Sequence, residues 1–191
     1  QVTGKIGKAL DMNEGSTKNE RVCLEDNPGG NPSNCNGSGT IFDGSVSVRT
    51  VSLWYKADEV DTRQVLFEEG GEAKGQNIYL NATKIFACTS FNYVAECVSS
   101  TTTANEWHHV ALVWAGSESD GSYLYHDGVQ VAEFTGRVNL QHNTPSALGN
   151  IAGNTNITNS TDGAADILSY SDDASFAGII DEFRVTDTEL T

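Results

Sequence analysis

The sequence predicts an all-β fold, an antiparallel sandwich or barrel. Three observations point there. Short runs rich in β-branched and aromatic residues recur between clusters of Gly, Asn, Asp and Ser. No stretch longer than a few residues keeps helical periodicity. Proline occurs only as Pro28, Pro32 and Pro145, each inside a polar segment, so it interrupts none of the runs. In chain order the predicted strands are 8–12, 46–56, 64–67, 77–80, 84–88, 95–99, 107–115, 122–126, 129–134, 147–151 and 176–185. Asp127-Gly128 between two strands signals a tight hairpin, because both positions of such a turn need positive φ. A second turn is expected at 81–84. Two long polar segments, 13–43 and 139–174, read as irregular loops, and loops of that length in a compact domain tend to be functional or disordered. Glu68-Glu69 reads as a turn before Gly70-Gly71. No repeat or internal boundary is visible, so one domain is expected over residues 1–191.

Charge removes several functions. The chain has 11 Lys and Arg against 26 Asp and Glu, a net charge of −15. Nucleic-acid binding needs a basic footprint, and docking on anionic lipid needs the same. The longest apolar run, 110–115, is far too short to span a bilayer, so no membrane insertion is expected. No leader precedes Gln1, so any export signal is expected to have been removed or to lie upstream.

Cys23, Cys35, Cys88 and Cys97 form an even set without Cys-x-x-Cys spacing, which favours disulfides over zinc. Three pairings are possible. Cys23–Cys35 and Cys88–Cys97 are favoured because each closes a short local loop. Folding 85–99 about Asn92-Tyr93 sets Cys88 opposite Cys97, Ala87 opposite Val98 and Phe91 opposite Val94, a hairpin with a bridge near its tip. Disulfides imply an extracellular or cell-surface location.

Five segments in order carry a resemblance. They are Gly7-Lys8-Ala9-Leu10, Val51-Ser52-Leu53-Trp54-Tyr55, Asn105-Glu106-Trp107-His108-His109-Val110-Ala111-Leu112-Val113, Leu124-Tyr125-His126-Asp127-Gly128-Val129 and Gly178-Ile179-Ile180-Asp181-Glu182-Phe183-Arg184-Val185. Together they resemble the laminin-G-like jelly rolls of the concanavalin A-like lectin/glucanase superfamily, across nearly the whole chain. The resemblance implies a concanavalin A-like jelly roll: two curved antiparallel sheets, ligand loops on one rim or the concave face, and often a calcium ion. It implies that Asp181 is a ligand of a structural calcium between the sheet edge and the N-terminal segment, with Asp11 or Asp43 as a second carboxylate. Asp181, Phe183 and Val185 share one face at period two, and a carboxylate in line with apolar neighbours needs a partner. The alternative is that Asp181 caps backbone N–H groups or bonds Trp107. A rim calcium of the laminin subgroup uses an acidic residue where Gln76-Asn77 stands here, a departure from that pattern.

The His108-His109 pair invites a metal reading, but adjacent strand residues point to opposite faces and do not converge on one ion. One packed and one hydrogen-bonded histidine is expected. The family usually has an aliphatic residue where His126 stands, which places His126 on a surface or an edge.

Chemistry is not expected. Retaining glucanases of the superfamily carry Glu-x-Asp-x-x-Glu or Glu-x-Asp-x-Glu on one strand, so that two carboxylates share a face. Glu59-Val-Asp61 lacks the second glutamate, and Glu118-Ser-Asp120 lies in a turn-like segment. No phosphate loop, nucleophile elbow or His-Glu-x-x-His is present.

Sugar-binding modules stack aromatics on pyranose faces and bond hydroxyls with Asn, Asp and backbone groups. The hairpin tip offers Phe91, Asn92 and Tyr93. The second polar loop offers Gln141, His142, Asn143, Asn150, Asn154, Asn156, Asp162, Asp166, Tyr170, Asp172 and Asp173. The alternative is a merely solvated loop with Phe91 packed under the tip. The sequence is therefore expected to encode a calcium-binding, carbohydrate-binding module of a larger secreted or cell-surface protein, such as an adhesin or a polysaccharide-degrading enzyme, with a glycan or polysaccharide as partner. A protein- or peptide-binding adhesion module is the alternative, and a glycoside hydrolase or polysaccharide lyase a weaker one.

Overall fold

The computed structural model describes residues 1–13, 21–24, 35, 48–71, 73–91, 93–114, 121–134, 146–152, 154–159, 164–169 and 174–189. Among these the strands are β1 (Val2–Thr3), β2 (Lys8–Asp11), β3 (Val22–Cys23), β4 (Arg49–Ala57), β5 (Gln64–Gly70), β6 (Lys74–Asn81), β7 (Lys84–Phe91), β8 (Val94–Thr101), β9 (His108–Trp114), β10 (Ser122–His126), β11 (Val129–Phe134), β12 (Ser146–Leu148), β13 (Asn154–Asn159), β14 (Ala164–Ser169) and β15 (Gly178–Thr186). No helix occurs among the described residues.

The strands form a sandwich. One sheet has seven strands in the order β1-β2-β15-β4-β9-β10-β11, and the other has six in the order β3-β12-β5-β6-β7-β8. All strand pairs are antiparallel. Alternation explains the core. Val51, Leu53 and Tyr55 of β4, Val110 and Leu112 of β9, Leu124 of β10 and Ile180 of β15 face inward from the larger sheet. They meet Phe67, Ile78, Leu80, Ile85, Ala87 and Leu148 from the smaller one. A bulge between Val65 and Phe67 lets both Leu66 and Phe67 enter this core while Val65 turns outward.

The smaller sheet is buried on its second face as well. Val65, Tyr79, Phe86 and Cys88 pack there against Ile151 and Ala174, with Tyr79 and Phe86 stacked at 4.8 Å. The two-stranded ribbon β13-β14 lies across that face, with β13 against β5, β6, β7 and β8. This corrects the expectation that 139–174 is irregular apart from one strand. It also puts the Tyr79–Phe86 pair out of reach of any ligand.

Both favoured disulfides are present, Cys23–Cys35 and Cys88–Cys97. Cys88 faces Cys97, Ala87 faces Val98 and Phe91 faces Val94, as the folded-about-the-tip pattern requires. The Asp127-Gly128 hairpin forms with positive φ at both residues. Glu68 and Glu69, expected in a turn, lie inside β5 and are fully buried. Glu69 is held there by Arg49 across the sandwich, at 2.8 Å. Glu68 accepts a hydrogen bond from the Ala152 amide.

Candidate functional site

The two ends of the sandwich differ. At the first end stand the start of β4 at Arg49, the close of β9 at Trp114 and the tip of the β7–β8 hairpin. Tyr93 is at that tip, with φ of 65° and 63 % of its surface exposed, and Val94 beside it is also exposed. The disulfide crosses the same hairpin a few residues below. An aromatic side chain is thus held out from a braced ribbon, a geometry suited to stacking on a flat apolar face. Strand β11 ends and strand β12 begins at this same end, since Phe134 pairs with Ser122 and Ser146 pairs with Glu69. The interior here is polar: Arg49, Glu69, Gln76, Thr89, Ser122 and Ser146 are all buried. Asn92, His142, Asn143, Tyr170, Asp172, Asp173 and Asp43 lie outside the described residues, and Phe91 is placed by its backbone pairing with Val94. Asn150 is no ligand group. It is fully buried, donates to Ser175 Oγ and accepts from the Ile151 amide. Gln76 and Asn77 are buried inside β6 rather than on a rim.

Asp181 is only 5 % exposed, yet it does not share a face with Phe183 and Val185. A bulge between Asp181 and Arg184, with Glu182 at φ 48°, advances the strand by one residue. Phe183 and Val185 therefore pack on the core, whereas Asp181 sits opposite Trp54 on the outer face. Its Oδ2 accepts the Ile6 N–H and its Oδ1 the Glu182 N–H, both at 2.8 Å. Asp181 and Glu182 line a surface pocket of about 360 Å³ with Gln1, Lys8 and Phe183. Asp11 is paired opposite Ile179, and its Oδ1 accepts the Asn13 amide.

The second end holds a histidine cluster. Tyr55, His108 and His126 all face inward from neighbouring strands, and their rings gather within 5.2–6.4 Å of one another. His126 is buried, which corrects its expected place on a surface or edge. The inner face continues from Leu124 to His126 at period two, so a position usually aliphatic stays inside even when it is histidine. Its polar atoms are accommodated: Nε2 lies 3.2 Å from Tyr55 Oη and Nδ1 3.2 Å from Ser100 Oγ. His108 Nδ1 lies 2.8 Å from Asp127 Oδ2, and its Nε2 lies 2.9 Å from Thr103 Oγ1. Asp127 Oδ1 accepts the His109 N–H at 2.8 Å. His109 points to the other face and packs at a tilt against Trp54, ring centres 5.1 Å apart, so the two adjacent imidazoles diverge as expected.

Burial lowers the pKa of His126 against the opposing pull of Asp127, and His108 and His109 lower it further. Burial likewise lowers that of His109, with Arg184 adding to the effect. The Tyr55 hydroxyl is raised well above the usual phenol range by burial. For Asp127, burial acts upward but is outweighed by the hydrogen bonds from His108 and the His109 amide, so its pKa falls.

As for paired carboxylates, Glu59 and Asp61 are exposed in the turn between β4 and β5. Glu68 and Glu69 are adjacent in β5 and point to opposite faces.

With this geometry in hand, a family model described as the concanavalin A-like lectin/glucanases superfamily, of laminin G type, matches residues 33–191. No curated protein matches the chain. Among solved structures, domain 4 of AbnA, an extracellular arabinanase from Geobacillus stearothermophilus in complex with arabinotriose, superposes with a TM-score of 0.62 at 19 % identity, covering 100 % of this chain and 75 % of that one. A Ruminococcus gnavus sialidase module, CBM40, bound to α2,6-sialyllactose gives 0.61 at 15 % identity over 96 % and 92 %. Domains LG4-5 of the mouse laminin α1 chain give 0.61 at 11 % identity, where this chain spans all of itself but 45 % of the laminin fragment. At these identities the superpositions establish the fold.

Proposed function

The chain belongs to the laminin-G-type family of the concanavalin A-like lectin/glucanases superfamily, and we propose that it is a non-catalytic, extracellular glycan-binding module whose ligand sits on the Tyr93 end of the sandwich. The observation that carries this reading is Tyr93 itself, exposed on a hairpin that a disulfide braces. Rigid aromatic anchors bind with little loss of conformational entropy. Modules of the same fold in a sialidase and an arabinanase, with sialyllactose and arabinotriose bound, support a saccharide as the ligand class. The predicted loop residues His142, Asn143, Tyr170, Asp172 and Asp173 would supply hydroxyl contacts. The disulfides support an oxidising compartment, and the parent protein would be an adhesin or a polysaccharide-degrading enzyme.

Calcium belongs to the same proposal. Asp181 keeps part of its acceptor capacity after its two amide hydrogen bonds, and Glu182 lines the same pocket. Asp181, with Asp11 or Asp43, would hold the ion and fix the N-terminal segment to the sheet.

The test is a glycan-array screen of the domain in calcium and in chelator, with Tyr93→Ala alongside. Selective glycan capture is expected, reduced about tenfold or more by Tyr93→Ala at unchanged melting temperature. No capture in either arm by folded protein overturns the glycan reading. The protein-partner alternative then gains weight, favoured by Val129 and Val131 exposed on the edge strand β11.

A further inference from the structure

We propose that His108 Nδ1, His126 Nε2 and the Asp127 carboxylate form a binding site for a divalent transition-metal ion of the zinc class. These three residues are the one group of metal-ligating side chains among the described residues whose donor atoms all fall within 4.8 Å of one another. His108 Nδ1 stands 2.8 Å and His126 Nε2 3.9 Å from Asp127 Oδ2. Two donors each about 2.1 Å from one zinc ion stand about 3.4 Å apart, between those two values. Small side-chain shifts therefore convert the cluster into three ligands of a tetrahedral ion. Two imidazoles and one carboxylate suit zinc, copper or nickel rather than calcium, which takes oxygen donors.

The surroundings favour a cation at this point. Thr103 Oγ1 donates to Glu106 Oε2 at 2.8 Å and lies 2.9 Å from His108 Nε2. The Glu106–Thr103–His108 chain is the outer support that metal-bound histidines usually have, a partner for the ring nitrogen that does not bind the ion. On His126 the same part falls to Ser100, which lies at Nδ1. Tyr55 Oη borders the fourth position, 3.2 Å from His126 Nε2. Asp127, with its side chain 48 % exposed, provides the entry from solvent.

The ion would join strand β9 to the β10–β11 turn, at the end of the sandwich opposite Tyr93. The proposal is therefore independent of glycan binding. Metal-stripped protein is titrated with Co2+ and then with Zn2+. One equivalent of Co2+ with the visible absorption of a tetrahedral site, bleached by Zn2+, is expected. His126→Gln and Asp127→Asn are each expected to weaken binding about tenfold or more; Asn at 127 keeps an acceptor for the His109 amide. Folded wild-type protein without a saturable Co2+ band overturns the proposal. So does a band whose affinity neither variant changes, which would place the ion elsewhere. Should a variant not fold, imidazole NMR of the wild type decides. Zn2+ must move the ring signals of His108 and His126, and movement confined to His109 and His142 refutes the site.

Discussion

At the scale of single residues, Asp181 shows how one backbone irregularity reassigns a side chain. Its carboxylate receives the Ile6 amide, and the chain can pass this close only because residue 4 is glycine: a Cβ on Gly4 would lie 2.4 Å from Asp181 Oδ2. Lys5, between them, sets its ammonium 4.7 Å above the Trp54 ring, so a single patch of outer face docks the N-terminal segment. Asp181→Ala leaves two amides without their charged acceptor, and a loss of about 3 kcal/mol is expected in chelator. In calcium the loss is expected to be larger, because a bound ion would be released as well. Thermal melting in both conditions measures this, and equal losses would remove Asp181 from the metal set. The burial of Asp181 and its need for a partner were legible in the sequence. Its face was not, because period two holds only while a strand stays regular, and nothing in Asp181-Glu182-Phe183 announces a non-glycine residue at positive φ. His126 fails in the opposite direction. A histidine where the family usually has an aliphatic residue reads as surface or edge, yet period two from Leu124 carries it inside, where Tyr55 and Ser100 lie 3.2 Å from its ring nitrogens.

At the scale of elements, hairpins are legible when their turn chemistry is specific. Asp127-Gly128 and the Cys88–Cys97 register follow from local pattern alone. The ribbon β13-β14 does not: Asp162-Gly163 stands between its strands, but Asn154–Asn159 and Ala164–Ser169 lack the strong alternation that would mark a strand on either side. The extent of β5 through Gly70 was hidden for another reason. Its two glutamates are held inside by Arg49 and by the Ala152 amide, partners 20 and 84 residues away. The turn between β6 and β7 is formed with unfavourable residues. Ala82 and Thr83 both adopt positive φ, 49° and 63°, and their amides bond to Asp61 and Val60 carbonyls. A left-handed conformation costs a residue with a side chain about 1–2 kcal/mol, and most for a β-branched one. Ala82→Asn with Thr83→Gly supplies the preferred turn pair and keeps both amides. Part of the relief is offset by the greater freedom of glycine in the unfolded chain, so a net gain of about 1 kcal/mol is expected. It should appear as a higher denaturant midpoint at unchanged slope. A midpoint that stays put or falls would contradict the turn geometry.

At the scale of the whole molecule, the sandwich has an apolar middle and two polar ends, and each end carries a different device linking its parts. One is the histidine cluster. The other is the Arg49–Glu69 pair, which reaches from the seven-stranded to the six-stranded sheet at 2.8 Å with both side chains almost wholly buried. Two charges removed from water gain little net stability from each other, but losing one leaves the other buried without its counter-charge. Arg49→Met is therefore expected to destabilise the domain by about 3–5 kcal/mol, because the buried Glu69 loses the counter-charge that holds it. Arg49→Met with Glu69→Met removes the uncompensated charge. Buried pairs replaced by apolar side chains of similar volume are often neutral, so the double variant is expected to recover most of the loss. Chemical denaturation of the four proteins of the cycle gives the coupling directly. A single variant that loses less than about 1 kcal/mol would mean that water reaches Glu69. The clamp would then be a surface pair, and the end of the sandwich that presents Tyr93 would be open rather than closed by packing.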